Sequence, residues 1–142
     1  LKKRWAARWN DSPHHACVKV YEPAFPFTKF ITVSKGLRRN QHNAVVQLRI
    51  GYIPLQAYLH KIKKADSDDC PACLSHGRHT AETVHHYLFD CPAYRAQWEQ
   101  VSRALGHDTR NKHILLGTKK GFVAILRYMV DTKRFTNIFG DV

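Results

Sequence analysis

The side chains best suited to chemistry are concentrated in one segment near the middle of the chain, which holds three of the four cysteines and four of the ten histidines. Cys70 and Cys73 form a Cys-x2-Cys pair, a spacing that lets one short loop offer two thiolates to a metal ion. Cys91 and a preceding histidine complete a set of four ligands, with intervals of x12 and x4 for His86 or of x11 and x5 for His85. Four such ligands suit a tetrahedral Zn2+ ion, so the pattern predicts a zinc site.

The residues that precede Cys91 leave the choice of histidine open. Thr80 or Thr83 can cap a short helix there, and the proline after Cys91 disfavours the α conformation at the cysteine, so the helix is predicted to break at that point. On an unbroken helix His86 would lie about 140° around the axis from Cys91, and His85 about 120°. Helical phase alone therefore selects neither histidine.

Two other interpretations of the cysteines are weaker. A Cys-x2-Cys pair also occurs in redox enzymes, but there it follows a strand and opens a long helix, whereas here it follows the charged, turn-forming residues 65–69. Cysteines packed in the core without a metal are the other alternative. His76 and His79 lie in the long loop and are only alternate ligands, and the distant Cys17 is predicted to be no ligand at all.

Apolar residues at helical spacing predict a mainly α fold class, a small multi-helix domain with a central zinc-knuckle loop. One helix is predicted within residues 34–52, ending at Gly51, and a short one within 55–64. Two more are predicted within 92–106 and 118–135. The predicted buried stripes of these helices comprise Leu37, Ala44, Val45, Leu48 and Tyr52; Leu55, Tyr58, Leu59 and Ile62; Tyr94, Trp98, Val101 and Leu105; and Phe122, Ile125, Leu126 and Met129.

The sequence divides into three predicted parts. Residues 1–33 are interpreted as a basic terminal helix, whose Trp5 and Trp9 dock on a core, followed by an irregular connector rich in proline and aromatic residues. Residues 34–135 form the helical metal-binding domain, and residues 136–142 are a tail. Because the chain opens without methionine in a basic, aromatic segment, we expect it to be part of a longer protein and residues 1–33 to leave an upstream domain.

The charge balance favours a polyanionic partner. Lys and Arg number 23 against 11 Asp and Glu, which gives a formal net charge of +12, and the pI is about 9.8. Nucleic acid, RNA or DNA, is the commonest such partner, and no apolar run has the length of a transmembrane helix or a signal peptide. The expected compartment is therefore nuclear or cytoplasmic and reducing, where clustered Cys and His are metal ligands rather than disulfides. The cations predicted to contact phosphates are Arg38, Arg39, Arg49, Lys61, Lys63 and Lys64.

Four blocks of sequence resemble the carboxyl-terminal region of non-LTR (LINE-type) retrotransposon polyproteins, especially those of fungi. The blocks are QLRIGYIPLQAYLHKIKKADSDDCPAC, ETVHHYLFDCPAY, ILLGTKK and LRYMVDTKRF, and the resemblance spans roughly residues 35–135. RWAARW near the amino terminus is similar to the segment that leaves the ribonuclease H domain of such polyproteins.

The resemblance implies a CCHC zinc-binding module that assists nucleic-acid handling by the upstream reverse transcriptase and ribonuclease H domains. Carried over position by position, it implies the ligand set Cys70, Cys73, His86 and Cys91, with His85 where the family commonly has an acidic residue. The interval between Cys73 and the histidine is longer here than in the family.

No catalytic set is evident in the sequence. The acidic residues are scattered, with neither a polymerase aspartate pair nor a ribonuclease H carboxylate set, so we expect this chain to be no enzyme itself and any catalysis to lie elsewhere in the parent protein. A zinc-stabilised docking domain without direct nucleic-acid contact is the alternative function, and a zinc hydrolase or deaminase is a weaker one because Glu82 follows the CPAC pair instead of preceding it. Tyr58, Tyr87 and Trp98 could stack on bases, but their helical phase predicts that they are core residues.

Overall fold

The computed structural model describes residues 2–13, 15–23 and 28–142, and the regular elements within these ranges are all helical. A π-helical turn, His86–Asp90, and 3-10 turns at Pro92–Tyr94 and Gly106–Asp108 lie between the α-helices. The predicted mainly α fold with a cysteine–histidine loop in the middle is therefore confirmed. The α-helices are α1 (Lys2–Asn10), α2 (His15–Val18), α3 (Lys29–Val33), α4 (Arg39–Ile50), α5 (Gln56–Lys61), α6 (Pro71–Leu74), α7 (Arg95–Leu105), α8 (Lys112–Gly117), α9 (Lys119–Thr132) and α10 (Thr136–Phe139).

Helix α9 lies at the centre of the core. It packs against α4, α7 and α8, and it starts at the predicted cap Thr118, whose hydroxyl accepts a hydrogen bond from the Gly121 N–H at 3.1 Å. Gly121 also lets α8 approach closely, since a Cβ there would collide with the backbone carbonyls of Ile114 and Leu115. The predicted stripe of α9 is buried, as are the facing side chains Ala44, Val45 and Leu48 of α4, Val101 and Leu105 of α7, and Leu115 and Leu116 of α8.

Helix α4 ends at the glycine predicted to stop it. Gly51 has a φ of 77° and its N–H bonds back to the carbonyl of Gln47, so the chain leaves the helix in the left-handed conformation that glycine adopts without strain. Tyr52 consequently falls out of helical phase and is 48 % exposed, which contradicts its predicted place on the buried stripe. Ile53 and Leu55 then turn back into the core, with both side chains buried.

The predicted connector is tied to the core through α4. Within it the chain forms the short helices α2 and α3, and Tyr21 is buried in the main hydrophobic cluster. Residues 24–27 of the connector lie outside the described residues. Of the two tryptophans predicted to dock, Trp9 is half-buried against the ring of His15, whereas Trp5 is 56 % exposed.

The predicted tail is also folded onto α4. Asn40 of α4 donates its side-chain amide to the carbonyl of Phe139 at 3.1 Å, and Arg38 donates to the carbonyl of Asp141 at 3.1 Å. Phe139 and Val142 pack against the main core. The residues of the predicted tail are thus packed on the helical core. In the described part of the chain, none of the helices combines the length and the hydrophobicity needed to cross a membrane.

Candidate metal centre

Cys70, Cys73, His86 and Cys91 converge on one point inside the protein. All four residues are buried, and one ligand atom from each lies within 4.8 Å of the others. The Sγ atom of Cys91 is 3.8 Å from that of Cys70 and 3.9 Å from that of Cys73, and Nε2 of His86 is 3.4 Å from the Sγ atom of Cys73. The cluster can therefore hold one metal ion.

The Cys-x2-Cys pair is positioned by the single helical turn α6. Cys70 precedes the turn in an extended conformation, Pro71 occupies the first helical position, and Cys73 follows within the same turn. The backbone N–H groups of Ala72 and Cys73 point toward the Cys70 sulfur and favour its thiolate. Both sulfurs consequently face the same side of the loop, as a metal ion requires.

The long segment between Cys73 and the histidine is an ordered return loop. The Arg78 N–H donates to the carbonyl of Cys73 at 3.0 Å, which closes the turn after α6. The chain then runs antiparallel to the residues before Cys70, because the Cys70 N–H donates to the carbonyl of Thr80 at 2.7 Å and the Glu82 N–H donates to that of Asp68 at 2.8 Å. The long interval between Cys73 and His86 is therefore largely occupied by this paired loop.

A π-helical turn selects His86. The Thr83 hydroxyl caps the turn by accepting the His86 N–H at 3.0 Å, and the Cys91 N–H donates to the carbonyl of His86 at 2.8 Å. An i→i+5 turn uses more residues per turn than the 3.6 of an α-helix, so it brings residues five apart toward the same face. Cys91 then takes an extended conformation, with φ −68° and ψ 114°, before Pro92.

Burial disfavours the charged form of the thiols. It raises the pKa of Cys91 to about 12, with nearby Cys70 and Cys73 adding to the effect, while a hydrogen bond from the Ala93 backbone opposes it. Burial also raises the pKa of Cys70, against the hydrogen bonds from the backbone. A bound cation would reverse this preference, because metal-coordinated thiols are deprotonated.

The other candidate ligands lie outside the cluster. His85 is exposed and pairs with Asp90 at 3.3 Å, and His79 is exposed and pairs with Asp69 at 3.1 Å, where its hydrogen bond is the main reason that the pKa of that carboxyl is lowered. His76, also exposed, contacts the carbonyl of Ala72, and Cys17 is exposed and free. Of the two histidines left open by the spacing, the structure thus places His86 in the cluster.

Residues 68–91, which carry the four candidate ligands, are called the metal loop below. Glu82 connects this loop to the rest of the molecule, a role that was not predicted from the sequence. Its fully buried carboxylate accepts two hydrogen bonds from Arg134, at 2.7 and 2.6 Å, and one from the Gln56 N–H at the start of α5, at 2.8 Å. The hydrogen bond to Glu82 raises the pKa of Arg134. Residue type gave no signal for this pair, because Glu and Arg are ordinarily surface residues.

The predicted phosphate-binding cations separate into two groups. Arg49 is buried at 8 % exposure, its Nη2 lies 3.5 Å from a carboxylate oxygen of Glu22, and its guanidinium covers the rings of Tyr21 and Phe30. Burial lowers the pKa of Arg49. The structure therefore contradicts the assignment of Arg49 to a nucleic-acid surface. The remaining five are exposed, namely Arg38, Arg39, Lys61, Lys63 and Lys64.

Substitution of the two neighbouring histidines is expected to separate the ligand from the bystander. His86→Ala removes a cluster atom and should abolish stoichiometric metal binding, whereas His85→Ala removes only an exposed ion pair and should leave the metal in place. The measurement is metal content per chain by elemental mass spectrometry after purification, with Cys17→Ala as the cysteine control. An empty His85→Ala protein beside a loaded His86→Ala protein would contradict the assignment.

Comparison of the chain with protein-family models, with curated proteins and with solved structures gives no match.

Proposed function

We propose that the chain is a structural-zinc module that binds nucleic acid, and that it assists the handling of RNA or DNA by reverse transcriptase and ribonuclease H domains upstream in a retrotransposon polyprotein. The observation that carries the proposal is the buried cluster of Cys70, Cys73, His86 and Cys91. The proposed compartment is nuclear or cytoplasmic, because the three thiols of the cluster must stay reduced to bind a metal.

The separations within the cluster favour zinc. With Zn–S bonds of about 2.3 Å and Zn–N bonds of about 2.0 to 2.1 Å, an ideal tetrahedron places sulfurs about 3.8 Å apart and a sulfur about 3.6 Å from a nitrogen. Sγ of Cys91 lies 3.8 Å from that of Cys70 and 3.9 Å from that of Cys73, Sγ of Cys73 lies 3.4 Å from Nε2 of His86, and all four ligand atoms are within 4.8 Å of one another. Three soft thiolates and one imidazole in this arrangement are typical of Zn2+.

The proposed role of the metal is structural. Four protein ligands complete a tetrahedral shell, so no position is left for a water molecule to be activated. The ligands also lie at the junction of the paired loop and the π-helical turn, where a metal cross-link fixes two segments that are far apart in the sequence. We therefore propose a binding module rather than an enzyme.

The exposed cations support nucleic acid as the partner. Lys61 ends α5, Lys63 and Lys64 lie just beyond it, and all three are exposed, as are Arg38 and Arg39 at the start of α4. Within a chain of net charge +12, such groups supply phosphate contacts that depend little on sequence.

Salt titration of binding tests this proposal. The zinc-loaded chain should bind a fluorescein-labelled single strand with an affinity that falls linearly in log–log plots against salt, measured by fluorescence anisotropy. The triple variant Lys61→Ala, Lys63→Ala and Lys64→Ala should reduce the slope by about 2, since each phosphate contact with a single strand contributes about 0.7.

A charge-matched control makes the result specific. The triple variant Arg95→Ala, Arg103→Ala and Lys112→Ala removes the same charge from exposed positions outside the predicted set and should change the slope little. Equal changes in slope for the two triple variants would show that binding depends on net charge alone. No binding by the unaltered chain at low salt would refute the nucleic-acid function and favour the docking domain.

A further inference from the structure

We infer that Tyr52 and Tyr58 form a stacking platform for an unpaired base of single-stranded RNA or DNA, an inference that rests on the proposed function. The two rings are stacked, with an angle of 18° between their planes and 5.4 Å between their centroids. Tyr52 is 48 % exposed and Tyr58 is half-buried, so the pair lies at the surface although both residues were predicted to be core.

The backbone on both sides of the platform fixes its position. Gly51 ends α4 in the left-handed conformation, which turns Tyr52 away from the core, and the Tyr52 N–H is held by the carbonyl of Gln47 at 3.0 Å. Ile53, the residue after Tyr52, is 0 % exposed and is held in the core. The exposed aromatic ring thus stands between two fixed points, and ordering it on binding costs little conformational entropy.

The platform borders a groove whose shape and charge suit a nucleotide. The groove has a volume of about 330 Å3, and its lining includes the tyrosine pair, Lys61, Glu82 and His85 beside apolar residues such as Ile53, Leu55 and Val84. The Glu82 carboxylate is already paired with an arginine, so it adds no free negative charge.

Lys63 and Lys64 come soon after Lys61 in the sequence and are exposed. Lys63 has a φ of 59°, so the chain turns sharply beyond α5, and the Lys64 N–H is held by the carbonyl of Leu59 at 2.8 Å. An aromatic surface beside Lys61, with two more cations close in the sequence, has the two elements of single-strand recognition, namely stacking on a base and ion pairing with the neighbouring phosphates.

This arrangement favours unpaired over duplex nucleic acid. Every base has an aromatic face, but in a duplex both faces are covered by neighbouring bases. Tyr87, which was also a candidate for stacking, is less suitable, because it is 1 % exposed and packs against Tyr94, Tyr128 and Phe135. We therefore assign stacking to the Tyr52–Tyr58 pair rather than to the aromatic core.

The test measures the affinity of the zinc-loaded full chain for three fluorescein-labelled probes of equal phosphate number: a single strand of oligo(dT), the same strand with abasic central nucleotides, and a duplex. Tyr52→Ala should weaken binding to the intact single strand by about 5-fold or more. It should leave binding to the abasic strand and to the duplex within about twofold of the unaltered chain. Tyr52→Phe keeps the ring and should bind all three probes normally.

Val123→Ala is the control for truncation of an exposed apolar side chain, since Val123 is 61 % exposed on α9. An unchanged affinity of Tyr52→Ala for the intact strand would overturn the platform, and so would an equal loss on the abasic strand. In both cases, salt-dependent binding by the unaltered chain would leave the proposed function standing. Absence of binding to every probe by the unaltered chain would refute the proposed function and the platform together.

Discussion

Removal of the metal is expected to unfold the α6 turn and the paired loop while the helical core persists. Among the described residues, Ala72 and Tyr94 are the partly buried apolar groups that pack around the three cysteines, so the α6 turn and the paired loop have little hydrophobic stabilisation of their own. In isolated zinc-finger peptides, metal binding contributes about 10 to 16 kcal/mol of folding free energy. We expect metal removal to lower the free energy of unfolding of the metal loop by an amount up to the lower end of that range, with little effect on the rest of the protein.

Hydrogen exchange with and without a chelator measures this effect residue by residue. The amides of Cys70 and Arg78, which bond to the carbonyls of Thr80 and Cys73, should lose protection, and added Zn2+ should restore it. The Phe122 amide, which bonds to the carbonyl of Thr118 at the start of α9, is the internal control and should stay protected. Unchanged protection throughout the metal loop would contradict a structural role for the metal.

Arg134→Met is expected to lower the free energy of unfolding by about 3 to 5 kcal/mol, because it leaves a buried carboxylate without its cation. The Glu82 side chain is 1 % exposed and the Arg134 side chain 19 %. After the substitution, the Gln56 N–H still donates a hydrogen bond to that carboxylate, but no cation among the described residues is paired with it. Urea denaturation of the zinc-loaded protein measures the change.

Two further variants show whether the effect belongs to the buried pair. The double variant Glu82→Gln and Arg134→Met removes both charges and should regain part of the lost stability. Arg127→Met breaks the exposed pair with Asp131, where the side chains are 77 % and 33 % exposed, and should cost no more than about 1 kcal/mol. A loss for Arg134→Met as small as that for Arg127→Met would show that the buried ion pair contributes little.

The helices were predictable where a local signal specified them. Gly51 ends α4, Thr118 caps α9 and Gly106 follows α7, as predicted. These signals act within one turn of the backbone, so the sequence contains all the information they need. Helix α5 is shorter than predicted because Lys63 takes a left-handed conformation, which no local residue pattern specified.

Side chains whose role depends on distant partners were not predictable. Arg49 looks like a surface cation, yet Glu22 and the ring of Phe30 draw it into the interior. Tyr52 looks like a core residue by helical phase, yet the backbone leaves the helix one residue before it. In both cases the outcome depends on a neighbour or a turn that periodicity does not contain.

The sequence alone determined the chemical character of the site: three cysteines and a histidine at spacings that suit one metal ion. Only the tertiary structure decided that the histidine is His86, because a π-helical turn brings it toward Cys91, and that Glu82 joins the metal loop to α5 and Arg134. Ligand types and intervals are properties of the chain, whereas the convergence of their side chains depends on how the intervening backbone is paired.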